Sequence, residues 1–296
     1  MTRGFAAEAD MLSLIAAAAQ DLAGKGAVAL FEVQSAAGIP DVVATVFDRQ
    51  ALEERAAGGF VTDRAGVAAL LALSRARDAR QSLDARQVAA AAGLTPSYVK
   101  AQVLPGLGAR GLAVMTAPGR WTAVGRYRSP ACRLVTVEAK LTDWRRGLGQ
   151  AARHVAGADA AWLVMDGTHT RAAMSRADWF RAAGVGLAGL GPDGTLQTLL
   201  EPDTAGVMRL PARRELLAQR LAELHCSGAV SGPVFKVFGR QPTCSAGSDP
   251  RYPAMGEHRA PGSRLPSGNR GAGPTRASPG VPGYQLRPPA ERQTRP

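Results

Sequence analysis

Cysteine is scarce in this chain. Cys132, Cys226 and Cys244 are the only three in 296 residues, with no C-x-x-C pair among them. That spacing provides neither a disulfide framework nor a zinc signature, and isolated thiols suit a reducing, cytoplasmic setting. Long apolar runs are missing as well. The stretch MLSLIAAAAQ (11–20) comes nearest to a signal-peptide core, but Glu8 and Asp10 precede it where a cationic region would stand. No run is long enough to span a bilayer, so no membrane association is expected. No Walker loop, dinucleotide fingerprint or Ser-His-Asp arrangement is legible. Lysine is the most telling shortage: Lys25, Lys100, Lys140 and Lys236 are the only four, and every other basic residue is arginine.

The formal charge of +12 is uneven. Residues 227–296 carry ten Lys and Arg against three Asp and Glu, amid Pro, Gly and Ser with no apolar periodicity. Such a composition cannot bury enough surface to offset its ordering entropy, which predicts a disordered basic tail with nonspecific attraction for nucleic acid.

Upstream of the tail the elements alternate. FAAEADMLSLIAAAAQDLAG (5–24) reads as a helix stopped by glycine. AVALFEV (27–33) and IPDVVATVF (39–47) read as strands joined around Gly38-Ile39-Pro40. CRLVTVEAKL (132–141) is a third strand, followed by a helix with Thr142 placed to cap it. AAWLVM (160–165) is a short buried strand and RADWFRAAG (176–184) a helix. VGLAGLGPDGTLQTLLEP turns back at Pro192-Asp193-Gly194, and a further helix is expected over 211–226. With residues 55–130 set aside, the order α-β-β-β-α-β-α-β predicts an α/β (α+β) domain: a mixed central sheet flanked by helices.

The third strand poses a question. Val135, Val137, Ala139 and Leu141 form one face, and Thr136, Glu138 and Lys140 the other. A half-exposed strand with a same-face ion pair, worth ~0.2–1 kcal/mol, is the plain explanation. The alternative is chemical. An acid two residues before a lysine occurs once in the chain, and lysine, unlike arginine, can approach neutrality when desolvated and serve proton transfer.

The segment set aside has its own pattern. TDRAGVAALLALSRARDA (62–79) has helical apolar spacing, with Thr62 as its candidate cap. SLDARQVAAAAGLTPSYVKAQVLPGLGARGL follows as helix, three-residue turn and helix, with Gly93 left-handed and Thr95 capping ahead of Pro96. Pro105 is expected to kink or shorten that second helix. VMTAPGRWTAV (114–124) reads as a hairpin around Pro118-Gly119. Three helices and a hairpin over residues 60–127 resemble the winged helix-turn-helix family. The resemblance implies double-stranded DNA as partner, with Ser97, Tyr98, Lys100 and Ala101 facing it and Arg120 on the wing. Winged helices also serve as protein-docking modules.

The order helix, strand, G-x-P-D strand, E-x-K strand, helix resembles the PD-(D/E)XK, or restriction-endonuclease-like, nucleases over residues 1–54 and 131–205. The carrying residues are Pro40-Asp41 and Glu138-Ala139-Lys140. The resemblance implies phosphodiester hydrolysis, with Mg²⁺ (or Mn²⁺) held by Asp41, Glu138 and the Ala139 carbonyl, and Lys140 positioning or activating water. Glu8 or Glu32 is a candidate further acid. Gln150 falls where RecB-like members carry Q-x-x-x-Y, with His154 in the tyrosine position. Arg145, Arg146 and Arg153 add a basic helical face suited to phosphates. The long Asp41–Glu138 separation requires the winged helix to be an insertion at a hairpin tip, where added chain costs little. The competing expectation is a non-catalytic DNA-binding regulator, with the nuclease-like fold as scaffold or homodimerisation module.

Overall fold

Alanine and leucine give the amino-terminal segment its helix, but the helix breaks at Ala18. The result is α1 (Glu8–Ala17) and α2 (Ala19–Ala23), ended by Gly24 at φ 101° in the computed structural model, which describes residues 4–232. Strands β1 (Val28–Phe31) and β2 (Val42–Phe47) follow as an antiparallel pair. Both are shorter than their apolar patterns suggest, because the chain between them closes a tight turn in which Ser35 N donates to Gly38 O at 2.8 Å. Helix α3 (Arg49–Gly58), capped by Asp48, buries only Ala51, Leu52 and Arg55. So thin an apolar stripe left it unread in the sequence.

Next come α4 (Arg64–Asp78) and α5 (Ala85–Ala92). The cap of α4 is Asp63, whose carboxylate accepts from Gly66 N at 2.6 Å, and not Thr62. Gly93 is left-handed as expected, at φ 68° and ψ 40°, while Thr95 holds the next N-cap position without a side-chain bond. That helix runs as α6 (Pro96–Tyr98), a π turn (Val99–Val103) and α7 (Leu104–Ala109), with helical dihedrals kept at each junction. Pro105 therefore neither ends nor shortens it. Its missing N–H and bulky ring are accommodated by widening the preceding turn. The hairpin of β3 (Ala113–Ala117) and β4 (Arg120–Ala123) completes this segment. Leu83 and Trp121 exchange two 2.8 Å backbone bonds that tie the hairpin to the helices.

The sheet resumes with β5 (Ala131–Lys140), α8 (Trp144–His154), β6 (Ala160–Asp166), α9 (Arg171–Met174), α10 (Ala177–Ala183), β7 (Val185–Leu190), β8 (Leu196–Leu200) and α11 (Pro211–Cys226). Asp143, not Thr142, caps α8 by accepting from Arg146 N at 3.1 Å. The strand order is β1-β2-β5-β6-β7-β8, parallel across β5-β6-β7 and antiparallel elsewhere. Helices α1 and α2 cover one face through Met11, Ile15 and Leu22 against Val42, Val135, Val137 and Trp162. On the other face α8 and α10 pack on Leu163, Met165 and Leu187, and α11 packs on Leu30, Val43 and Leu134. Leu216 of α11 also joins the core of the 61–123 segment. Arg214 anchors α11 to Asp159 at 2.7 Å. Burial alone would raise the Asp159 carboxyl, but that guanidinium outweighs it and holds the group below the usual carboxylate range.

Among the described residues no helix is long and apolar enough to cross a membrane. Residues 227–232, expected to begin a disordered tail, instead return to the edge of β1. Phe31 N donates to Val230 O at 3.0 Å and Gly232 N to Phe31 O at 2.9 Å, bonds that composition cannot forecast. The rest of the expected tail, 233–296, lies outside the described residues.

Candidate active site

Strands β2 and β5 are neighbours although α3 to β4 intervene between them in the chain. Val42 pairs with Val137, so Asp41 stands at the mouth of β2 beside the end of β5. Its Oδ2 accepts from Ala139 N at 2.8 Å, across 98 positions of sequence. Strand β5 is not half-exposed: Thr136, Glu138 and Lys140 are as buried as the apolar residues between them. Nor do Glu138 and Lys140 satisfy each other. Lys140 Nζ donates to Glu8 Oε2 at 3.1 Å and to the Ala139 carbonyl at 2.8 Å, and lies 3.9 Å from Asp41 Oδ2. The plain ion-pair explanation of this strand therefore fails.

The electrostatics follow from the crowding. Burial, and next the charge of Glu138, push the Asp41 carboxyl up to about 7; the Ala139 N–H and Lys140 oppose the shift, and Glu8 adds to it. The fold thus holds acidic groups together that resist simultaneous ionisation.

Glu138 is held by a residue the sequence left ambiguous. His154, at the end of α8, is buried and its Nε2 lies 3.0 Å from Glu138 Oε1. Glu138 Oε2, Gln150 Oε1 and His154 Nδ1 are buried without a hydrogen-bond partner. Buried polar atoms in folded proteins nearly always have partners, so the orphaned Glu138 Oε2 beside the bonded His154 marks an oxygen free for another partner. Helix α8 approaches this closely because residue 147 is glycine: a Cβ there would meet Lys140 Cγ at 2.7 Å and Leu163 Cδ1 at 2.5 Å.

Of the two further acids, the structure brings the Glu8 carboxylate to Lys140. Glu8 is positioned through the segment before α1, where Phe5 N donates to Asp166 Oδ2 at 2.9 Å. Asp166 closes β6 and gave no signal in the sequence. Glu32 follows β1 at φ 48°; its N–H donates to the Asp41 carbonyl, while burial raises its own carboxyl.

The residues expected against DNA divide. Ser97, Tyr98, Lys100 and Ala101 are all exposed on one helix, and Arg145, Arg146 and Arg153 are exposed on α8. Arg145 lies over the Trp144 ring, 4.6 Å from its centroid. Arg120 is different. Its guanidinium bonds Ser82 Oγ at 3.2 Å, Gln87 Oε1 at 3.0 Å and the Ser82 carbonyl, fastening β4 to the α4–α5 connection. That occupation turns it from an expected DNA contact into an internal brace.

No three His, Cys, Asp or Glu side chains close into a metal-ligand group among the described residues. What is present is a smaller donor set: two carboxylates, Asp41 and Glu138, with the Ala139 carbonyl between Glu138 and Lys140. Mg²⁺ keeps several waters and needs only one or two protein carboxylates, so this set with its orphaned Oε2 fits that ion. Comparison of the chain with protein-family models, with curated proteins and with solved structures finds no match.

Proposed function

We propose that the chain is a Mg²⁺-dependent DNA nuclease of the PD-(D/E)XK type, with a winged helix inserted between the strands that carry Asp41 and Glu138. One observation carries this reading. Asp41, Glu138, Ala139 and Lys140 converge at one end of the β2–β5 pair despite the chain between them, with acidic groups crowded enough to lift Asp41 to about 7.

Asp41, Glu138 and the Ala139 carbonyl would hold the ion, which supplies Lewis-acid polarisation of a phosphoryl oxygen. The remaining work belongs to the chain. Lys140 has three N–H donors; Glu8 and the Ala139 carbonyl take two. The third can reach a phosphate oxygen or the attacking water, and Glu8 keeps Nζ aimed. The Ala139 N–H fixes the Asp41 carboxylate in one rotamer before substrate arrives, so little reorganisation is needed. Exposed Ser97, Tyr98 and Lys100 would engage the duplex, and Arg145 and Arg146 its phosphates. A cytoplasmic setting suits Cys132 and Cys226, which are exposed free thiols.

A second reading has its own support. Glu138 Oε1 is already engaged by His154, and two Lys140 donors are taken, as in a site that has become structural. The chain would then be a DNA-binding regulator on a nuclease-like scaffold. Cleavage assays on plasmid, linear and single-stranded DNA with Mg²⁺ or Mn²⁺ decide between them. The nuclease reading expects cutting that Asp41→Ala, Glu138→Ala and Lys140→Ala each abolish while duplex binding persists. Tight binding by wild type with no cleavage of any form establishes the regulator.

A further inference from the structure

We infer that His154 is a positioning residue: it sets Glu138 and the turn leading to Asp41 into the spacing that a divalent cation requires. The inference rests on the metal-binding reading above and deepens it.

The imidazole bonds Glu138 and lies near the turn that leads to Asp41. On one side Nε2 meets Glu138 Oε1 at 3.0 Å, with each side chain 2% exposed. Paired with an ionised carboxylate, Nε2 is the donor, and Oε1 is thereby taken. Oε2 is left buried and without a partner, one lone-pair-bearing oxygen held in a fixed direction. On the other side the ring lies near the loop that delivers Asp41. Gly38, at φ 131°, comes so near that a Cβ there would lie 3.4 Å from His154 Cε1. Three residues later the same loop reaches Asp41, and the Ser35–Gly38 bonds keep it tight.

No other side chain bonds Glu138 among the described residues, so the rotamer of this acid depends on His154. The placement at the end of α8 also explains the buried Nδ1. Burying a polar nitrogen without a partner is costly, and an apolar side chain would fill the same space without that cost. Retaining histidine makes sense where Nε2 is needed. Residues that hydrogen-bond a metal-ligating carboxylate typically matter 10–100-fold for metal affinity.

The test uses Mn²⁺ binding to the full chain, followed by calorimetry, with melting temperature measured alongside. A glutamine amide nitrogen can occupy the place of Nε2, whereas an asparagine amide reaches only that of Nδ1. His154→Gln should therefore bind Mn²⁺ within about threefold of wild type, and His154→Asn should bind at least about tenfold more weakly. A merely structural histidine would lower the melting temperature in both variants and leave the two affinities equal. That equality overturns the inference while leaving the metal reading intact. Wild type that binds no Mn²⁺ overturns both. Should either variant fail to fold, wild type with ¹⁵N-labelled histidine decides. The Nε2–H resonance of His154 should shift on titration with Mg²⁺ and saturate with the metal, and a resonance unmoved at saturating Mg²⁺ refutes the positioning role.

Discussion

Replacing Asp41 by asparagine should make the metal-free protein more stable, and by an amount that grows with pH. The folded-state carboxyl sits near 7, against 3.8 for an unperturbed aspartate, because burial and then the Glu138 charge disfavour ionisation. The native state therefore binds more protons than the unfolded chain between those two values. The contribution of this one carboxyl to stability is greatest below about pH 4, falls as pH rises, and levels off above about pH 7. At ~1.36 kcal/mol per pH unit, with ionisation of the unfolded chain already under way at pH 5, the loss between pH 5 and pH 8 is roughly 2.5 kcal/mol. Asparagine keeps an oxygen to accept from Ala139 N but carries no charge, so the variant should lack this loss. Urea unfolding of both proteins in chelator measures the effect of this carboxyl together with the groups coupled to it. The stability advantage of the variant should widen by roughly 2.5 kcal/mol from pH 5 to pH 8. Added Mg²⁺ should then stabilise wild type at pH 8 and leave the variant nearly unchanged. An advantage that stays constant across the two pH values would refute the claim that this acid is crowded.

Three further substitutions test the framework of the site and the 61–123 segment. Gly147→Ala gains about 1 kcal/mol of helix propensity but drives a methyl into Leu163 and Lys140, an overpacking that costs about 1–3 kcal/mol. A small drop in melting temperature together with slowed cleavage is expected, because Lys140 must move. Lys100→Ala should leave the melting temperature unchanged and lower the slope of log affinity against log salt by about one, as for a lost phosphate contact. Arg120→Ala should do the reverse, lowering the melting temperature through its lost bonds to Ser82 and Gln87 while leaving the salt slope alone.

Much of the sheet could be read in the sequence because its central strands are buried on both faces and announce themselves as apolar runs. The segments 132–141 and 160–165 match β5 and β6 to within a residue at either end. What escaped reading depends on contacts between distant residues. Composition favoured Thr142 and Thr62 as caps, yet Asp143 and Asp63 took those places, since a carboxylate accepts more strongly from backbone N–H. The docking of residues 230–232 on β1 rests on backbone bonds, which any sequence can make. His154 was ambiguous because a histidine sixteen positions after a glutamate has no local signature. Its partner becomes evident only once α8 has folded back over β5.

The site residues themselves were legible for a different reason: they conflict with their surroundings. A glutamate and a lysine inside an apolar strand are expensive to bury, and a chain retains such residues where neighbours offset the cost. Here the neighbours offset it incompletely. Glu8 and Asp41 lie beside Lys140, and the charge of Glu138 acts on Asp41, so full ionisation would leave excess negative charge there. Alone, the protein relieves that excess by holding a proton on Asp41 near neutral pH. A dication offers another relief, displacing the Asp41 proton and giving Glu138 Oε2 the partner it lacks. The two remedies exclude each other at Asp41, because a ligand oxygen cannot hold the proton and the metal together. Binding of Mg²⁺ should therefore release protons, most per ion below pH 7, where Asp41 still holds its proton, and fewer as the pH rises through that value. Calorimetry of Mg²⁺ binding in two buffers of different ionisation enthalpy counts those protons directly. Proton release that persists undiminished in Asp41→Asn would show that the charge conflict lies elsewhere.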